Sequence, residues 1–322
     1  MIALGCATPA SAAIFDHDDR IVVGDRLIPV GIVESSRSRY GSGFLIDHCH
    51  VLTARHVIGD GDGIVGRHIR FRLQPTTAAT SANSSPGTVI AAGAHGVRRG
   101  DYSGDWALIR IARCLGARFG YYPIASQGFY RLGGSARFQP RLTAMGYPRD
   151  RGGRLLVIDP QCEARQRTTI GLRHDCASTA GNSGGPLLAW NESSNRYEAI
   201  AINVAAFRHA GTVAFSVDHA NVAVELATIR LKIAGATAPS APPLANARRR
   251  RPSQRQSGCR DNCRVSRCCR NAPSRSLRKS GRRPRRGHWN SGNDARFRTT
   301  DRVAADWANT RHRGSLDGSC AT

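Results

Sequence analysis

The sequence predicts an all-β fold, a barrel or a sandwich, from three observations. Between Ile21 and about Ala234 of the 322 residues, short runs rich in Val, Ile, Leu and Phe succeed one another. Gly, Asn, Asp, Ser and Pro separate these runs, which is strand-and-turn chemistry. Only one stretch, close to Ala234, carries apolar residues at helical spacing. The 40% hydrophobic content suffices for a core, and no apolar run reaches the roughly 18 residues of a membrane-spanning helix.

In order, the runs are "RIVVGDRLIPVGIV", "GSGFLIDHCHVLTARHVI", "DWALIRIA", "RLTAMGYP", "RLLVIDP", "AIAINVAAF" and "GTVAFSV". The next segment, "DHANVAVELATIRLKIA", places Val222, Leu226 and Ile229 at helical spacing. A C-terminal helix is expected from about 219 to 233, with Asp218 as its cap.

Beyond "GATAPSAPPLANA" the pattern stops. Residues 241–322 hold 21 basic and 5 acidic residues, +16 of the net +24. With few aliphatic residues, this Arg-rich tail cannot bury enough surface to offset its ordering entropy, and disorder is expected. Three readings of it stay open: a solvated linker, a shifted reading frame, or a segment that contacts nucleic acid or anionic surfaces non-specifically. The last would make the chain a non-catalytic basic binding module, the rival to an enzymatic reading. The spacing of Cys259, Cys263, Cys268 and Cys269 fits no zinc pattern, and no metal or cofactor is expected.

Ten cysteines point to an oxidising compartment, hence a secreted or periplasmic protein. Ala10-Ser11-Ala12 has the form of a signal-peptidase site, so residues 1–19 are read as a residual signal or pro-segment. Residues 20–235 are the folded unit and 236–322 the tail.

The stretch "GNSGGPLL", residues 181–188, leaves Ser183 as the one reactive side chain among three glycines. It reads as a Gly/Ser/Pro turn or as an exposed nucleophile ringed by backbone N–H groups. A serine nucleophile needs a base, and the base an orienting carboxylate. "HVLTARHVI" sets His56 after an apolar run. "SGDWALIRI" sets Asp105 directly before another, with Asp101 as a rival four residues earlier.

"LTARH", "DWALIRI" and "GNSGGPLL", in this order, resemble the trypsin-like (chymotrypsin-fold) serine proteases. "GNSG" is most similar to the bacterial glutamyl endopeptidase and high-temperature-requirement branches. The resemblance spans residues 20–235. It implies two six-stranded antiparallel barrels with a C-terminal helix. It also implies a monomeric serine endopeptidase that cleaves polypeptides through an acyl-enzyme. Ser183 would be the nucleophile, His56 the general base and Asp105 its orienter, with the N–H groups of Gly181 and Ser183 as the oxyanion hole. Ala177 would sit at the base of the specificity pocket. Asn203 and Val204–Ala206 would form its wall, with Gly211 and Thr212 at its mouth. With no acid at 177 and Asn203 where glutamate-specific relatives have histidine, a small or medium apolar side chain is the expected substrate residue.

"HDDRIVVG" is similar to a zymogen cleavage site after Arg20. However, the partner of the freed Ile21 would be Asn182, which cannot make the ion pair. The resemblance further implies a Cys49–Cys114 bridge between neighbouring strands. A Cys162–Cys176 bridge would flank the loop leading to Ser183. His48 and His50 are read as sharing a strand face without completing a metal site, and His174 and His209 as loop surface residues.

Overall fold

The computed structural model describes residues 12–24, 28–36, 39–59, 62–73, 80–94, 101–126, 141–206 and 212–238. The Arg-rich tail beyond Ala238, Cys6 and residues 207–211, with His209 and Gly211, lie outside the described residues.

Two short strands come first, β1 (Ala12–Phe15) and β2 (Ile21–Gly24). The first barrel is β3 (Val30–Glu34), β4 (Tyr40–Leu45), β5 (His50–Thr53), β6 (His68–Arg72), β7 (Ser84–Ala92) and β8 (Ala107–Ile111). All pairings are antiparallel, and the barrel closes in the order β3-β4-β5-β8-β7-β6. Phe44, Leu45, Val51, Leu52, Phe71, Leu108 and Ile109 are fully buried within its core cluster. A side chain at Gly31 or Gly43 would collide with Phe71 or Val33, so these strand glycines mark close approach inside the barrel.

The second half holds β9 (Arg141–Gly146), β10 (Leu156–Thr168), β11 (Gly171–His174), β12 (Ser178–Thr179), β13 (Pro186–Asn191), β14 (Arg196–Ala205), β15 (Thr212–Val213) and β16 (Asn221–Glu225). The sheet runs β11-β16-β14-β13-β9-β10-β2, and β11 also pairs with β10, which closes a second six-stranded ring with β2 attached outside. One of its core clusters is narrow and alanine-rich: Ala144, Ala164, Ala189, Ala201 and Ala223 pack with Leu142, Leu172, Leu187, Cys162 and Cys176. Small side chains of this kind suit the interior of a tight barrel.

The C-terminal helix exists but starts later than expected. Residues 221–225 form β16, buried throughout and held between β11 and β14. After two single-turn helices, α1 (Arg55–Ile58) and α2 (Gly116–Phe119), the helix α3 spans Leu226–Thr237 and buries Leu226, Ile229 and Ile233. Sheet pairing thus overrides the helical spacing of Val222. Asp218 lies in a single 3-10 turn, Val217–His219, and does not cap α3. His174 is likewise no surface residue: it ends β11 and is fully buried, because β11 pairs on one side with β10 and on the other with β16.

Both anticipated disulfides are present. Cys49–Cys114 joins the approach to β5 with the end of β8. Cys162–Cys176 lies in the second core and spans 14 residues. Closing a loop of that size restricts the unfolded chain by about 3 kcal/mol. A Cys162→Ala/Cys176→Ala variant is expected to lose stability of that order, read as a lower urea midpoint with little change in slope.

Candidate active site

The site grows from the end of β5. The chain passes through Ala54 into one helical turn, α1 (Arg55–Ile58), which carries His56. The backbone N–H of His56 donates to Asp105 Oδ1 at 2.9 Å, and its ring Nδ1 meets Asp105 Oδ2 at 2.7 Å. The Asp105 side chain is 1% exposed, that of His56 30%. A buried carboxylate needs both oxygens satisfied, and here one residue supplies both donors. With its proton on Nδ1, the imidazole leaves Nε2 as an acceptor on its exposed side. Asp101, the rival acid, is exposed and caps the Ser103 N–H at 2.9 Å.

Ser183 comes from the loop between β12 and β13. This loop is braced by the first barrel through Ser42, in the middle of β4. The Ser42 N–H donates to the Ser183 carbonyl at 2.8 Å. The Ser42 hydroxyl donates to the Gly181 carbonyl at 2.8 Å and accepts the Tyr147 N–H at 2.9 Å. A side chain on Gly41 would strike both the Ser183 carbonyl and Val57, the residue after His56. The loop that bears Ser183 therefore sits against the turn that bears His56.

Two peptide planes of this loop are fixed from behind. The Ala180 carbonyl accepts the Arg149 N–H at 2.7 Å, and the Asn182 carbonyl accepts the Gly185 N–H at 2.9 Å. A trans peptide points its N–H opposite to its C=O, so the Gly181 and Ser183 N–H groups face away from these anchors. The N–H groups of Asn182 and Gly184 are committed to the Thr179 and Asn203 carbonyls. Those of Gly181 and Ser183 have no acceptor among the described residues. Gly181 has φ +103° and Gly184 φ +87°. A Cβ would meet the Tyr147 carbonyl at Gly181 and the Ser42 carbonyl at Gly184. Glycine is required at both on conformation and on space.

Of the residues assigned to the pocket, Ala177 and Asn203 touch this loop. Ala177 is buried and gives its N–H to Asp159 Oδ2 at 2.7 Å. Asn203 Nδ2 donates to Ser178 Oγ at 2.6 Å, and the Asn203 main chain pairs with Gly184 and Gly185. Val204 is buried, Ala205 and Ala206 are half-buried, and Thr212 is exposed. Asn182 sits buried with Nδ2 toward the Ala177 carbonyl at 3.4 Å. Ser42, Asp150, Asp159 and Thr179 escape sequence reasoning. For Ser42 the available signal is its place between two strand glycines, 41 and 43.

His48 lies in the turn before β5, edge-on to Tyr121, rather than on a strand face with His50, whose Nδ1 meets Asp47 Oδ2 at 2.7 Å. Among the described residues, Cys162, Asp175 and Cys176 are the one set with metal-ligand spacing. Both of its sulfurs are tied in the disulfide.

Two closed six-stranded antiparallel barrels with this site between them define a chymotrypsin-fold protein. Residues 41–196 match the family model of the trypsin-like peptidase domain. Among solved structures, a Glu endopeptidase in complex with MPD is similar, with 17% identity, 69% of this chain and 98% of that one covered, and a TM-score of 0.50. The human heparin binding protein aligns at 13% identity over 70% of this chain and 100% of that one, with a TM-score of 0.49. No curated protein matches the sequence.

Two buried groups of the second barrel, Asp159 in β10 and His174 in β11, have shifted pKa values. Burial pushes the Asp159 carboxyl up to about 6, against the opposing hydrogen bonds from backbone N–H groups. Burial pushes the His174 imidazole down to about 4. The signs oppose each other. Between pH 4 and 6 the folded state holds a proton on Asp159 that the unfolded chain has released, so stability falls as pH rises, on the order of 3 kcal/mol in all. Between pH 6.5 and 4 the unfolded chain protonates His174 and the folded state does not, so stability falls as pH drops. In the wild type these slopes partly cancel. Asp159→Asn is expected to leave a stability that climbs from pH 4 to 6.5, and His174→Gln one that declines from pH 4 to 6, both measured by urea unfolding across that range.

Proposed function

We propose that the chain is a serine endopeptidase that hydrolyses peptide bonds through an acyl-enzyme. The observation that supports this reading most is the His56 imidazole, whose Nδ1 is held by the buried Asp105 carboxylate, on the turn against which the Ser183 loop packs. In this reading Ser183 Oγ attacks the substrate carbonyl and His56 Nε2 takes its proton. Asp105 keeps the ring in the tautomer that leaves Nε2 free and stabilises the imidazolium. The Gly181 and Ser183 N–H groups receive the developing oxyanion, each contributing about 3 kcal/mol to transition-state stabilisation. His56 then returns the proton to the leaving amine, and water repeats the sequence on the ester. No metal or cofactor is invoked.

Ala177, Asn203, Val204 and Ala205 are the proposed contacts of the substrate side chain. Two alanines and a valine favour a small or medium apolar residue. The two disulfides support a secreted or periplasmic setting, and among the described residues no helix is long and apolar enough to cross a membrane.

A fluorophosphonate probe is expected to label Ser183 in the wild type and to leave Ser183→Ala unlabelled. That substitution should lower turnover of peptide esters on the order of 10⁶-fold. Asp105→Asn should lower kcat by about 10⁴-fold. An unlabelled wild type would refute the assignment.

A further inference from the structure

We infer that Arg20 is a positioning residue that holds the oxyanion loop in its working shape from within the chain, without a newly cut N-terminus. The inference rests on the endopeptidase reading. The Arg20 side chain is 2% exposed and lies between two carboxylates. Its Nε and Nη2 donate to Asp18 at 2.7 and 2.9 Å, and its Nη2 and Nη1 to Asp150 at 2.7 and 3.3 Å. Arg151 Nη2 adds a further bond to Asp18 at 2.8 Å.

Asp150 carries the connection onward. Its Oδ1 accepts the Thr179 hydroxyl at 2.6 Å. Its neighbour Arg149 gives the N–H that anchors the Ala180 carbonyl, and that peptide plane presents the Gly181 N–H. Thr179 in turn accepts the Asn182 N–H at 3.0 Å. A buried guanidinium is thus linked through one carboxylate and one hydroxyl to the segment that precedes Ser183. A carboxylate hydrogen-bonded by arginine is strongly fixed in direction as well as charge.

The same N-terminal segment grips this region a second time. β1 pairs with β12 (Ala12↔Thr179, Ala13↔Ser178) and with β15 (Ile14↔Thr212, Phe15↔Val213). The Asp16 N–H also donates to the Val213 carbonyl at 3.0 Å. Residues 12–20 therefore clamp Ser178–Thr179 by main chain at one end and by Arg20 and Asp150 at the other. Ile21 is already committed to β2, opposite Ile158 of β10. The Arg20–Ile21 bond leads from a buried ion pair straight into a paired strand, and Asn182 offers no charge for a freed ammonium. A fixed internal cation fits this arrangement where a mobile terminal one does not.

The test compares Arg20→Met, Arg20→Lys and the wild type by steady-state kinetics on a peptide ester. Amide hydrogen exchange of the peptide spanning residues 178–184 is measured alongside. Arg20→Met is expected to lower kcat by about tenfold to a hundredfold, below the cost of losing an oxyanion donor outright. KM should stay within about twofold and exchange across 178–184 should quicken. Arg20→Lys should recover part of kcat, since lysine keeps the charge and loses the fork. If Arg20→Met fails to fold, Thr179→Val removes only the hydroxyl link to Asp150 and carries the same expectation. Wild-type kcat and unchanged exchange in the variant would overturn the inference. So would a rise in kcat, which would make the segment a restraint on the site. A wild type without esterase activity would count against the endopeptidase reading alone; the exchange comparison would still decide whether Arg20 orders the loop.

Discussion

Ser42 is the residue on which the two barrels depend to make one site. It is fully buried in β4, and three of its polar groups reach across the divide or steady the strand that does. Its N–H meets the Ser183 carbonyl, its hydroxyl bridges the Gly181 carbonyl and the Tyr147 N–H, and its carbonyl accepts the Thr53 hydroxyl at 2.7 Å. Apolar packing can press two barrels together but cannot fix their rotation, because dispersion contacts are not directional. Short hydrogen bonds to particular peptide groups can. Tyr147 adds another from the opposite side, its hydroxyl donating to the Val30 carbonyl at 3.0 Å.

The same accounting explains why the loop around Ser183 is built almost wholly from backbone. Its carbonyls at 180, 181, 182 and 183 all accept described hydrogen bonds, and its N–H groups at 182, 184 and 185 all donate them. Among the described residues two donors are left over, and leaving buried donors unmade costs roughly 1–3 kcal/mol each. On the proposed reading these donors would receive a substrate oxygen, and groups held in place beforehand need no reorganisation during reaction. The glycines at 181 and 184 let the chain pass within contact of Tyr147 and Ser42, so the dense bonding and the glycine pattern are one requirement seen twice.

Much of this was legible in the sequence. The Val/Ile/Leu runs gave strands, the three motifs named His56, Asp105 and Ser183, and both disulfides followed from the resemblance. What escaped did so for physical reasons. Residues 221–225 have helical spacing when read alone, yet two neighbouring strands offer them a full ladder, and pairing outweighs local periodicity. His174 reads as a turn histidine because its burial comes from β10 and β16, strands near in space and, for β16, nearly fifty residues on. Ser42, Thr179 and Asp150 carry no motif. Ser42 matters through bonds to the peptide groups of residues 147, 181 and 183, and Thr179 and Asp150 through a side-chain bond to each other across 29 residues; no local pattern records such bonds.

The long-range character of the site also bears on how it assembles. Its parts come from residues 12–20, 41–56, 105, 147–150 and 177–203, so no contiguous half of the chain can build it. Topologies dominated by non-local pairing close large loops before those contacts repay the entropy, which makes their assembly slow. The loop around Ser183 would then be among the last parts to order, since its supports come from both barrels and from the N-terminal segment. Arg20 adds a further long-range support. Its ion pairs with Asp18 and Asp150 join the N-terminal segment to the 3-10 turn at Arg149–Arg151. They hold Asp150 toward Thr179, beside the Arg149 N–H that anchors Ala180, so the loop has supports besides Ser42. On the proposed reading, a covalent cut would tie the ordering of such a loop to a second protease, whereas a buried arginine that arrives with the fold would tie activity to completed folding.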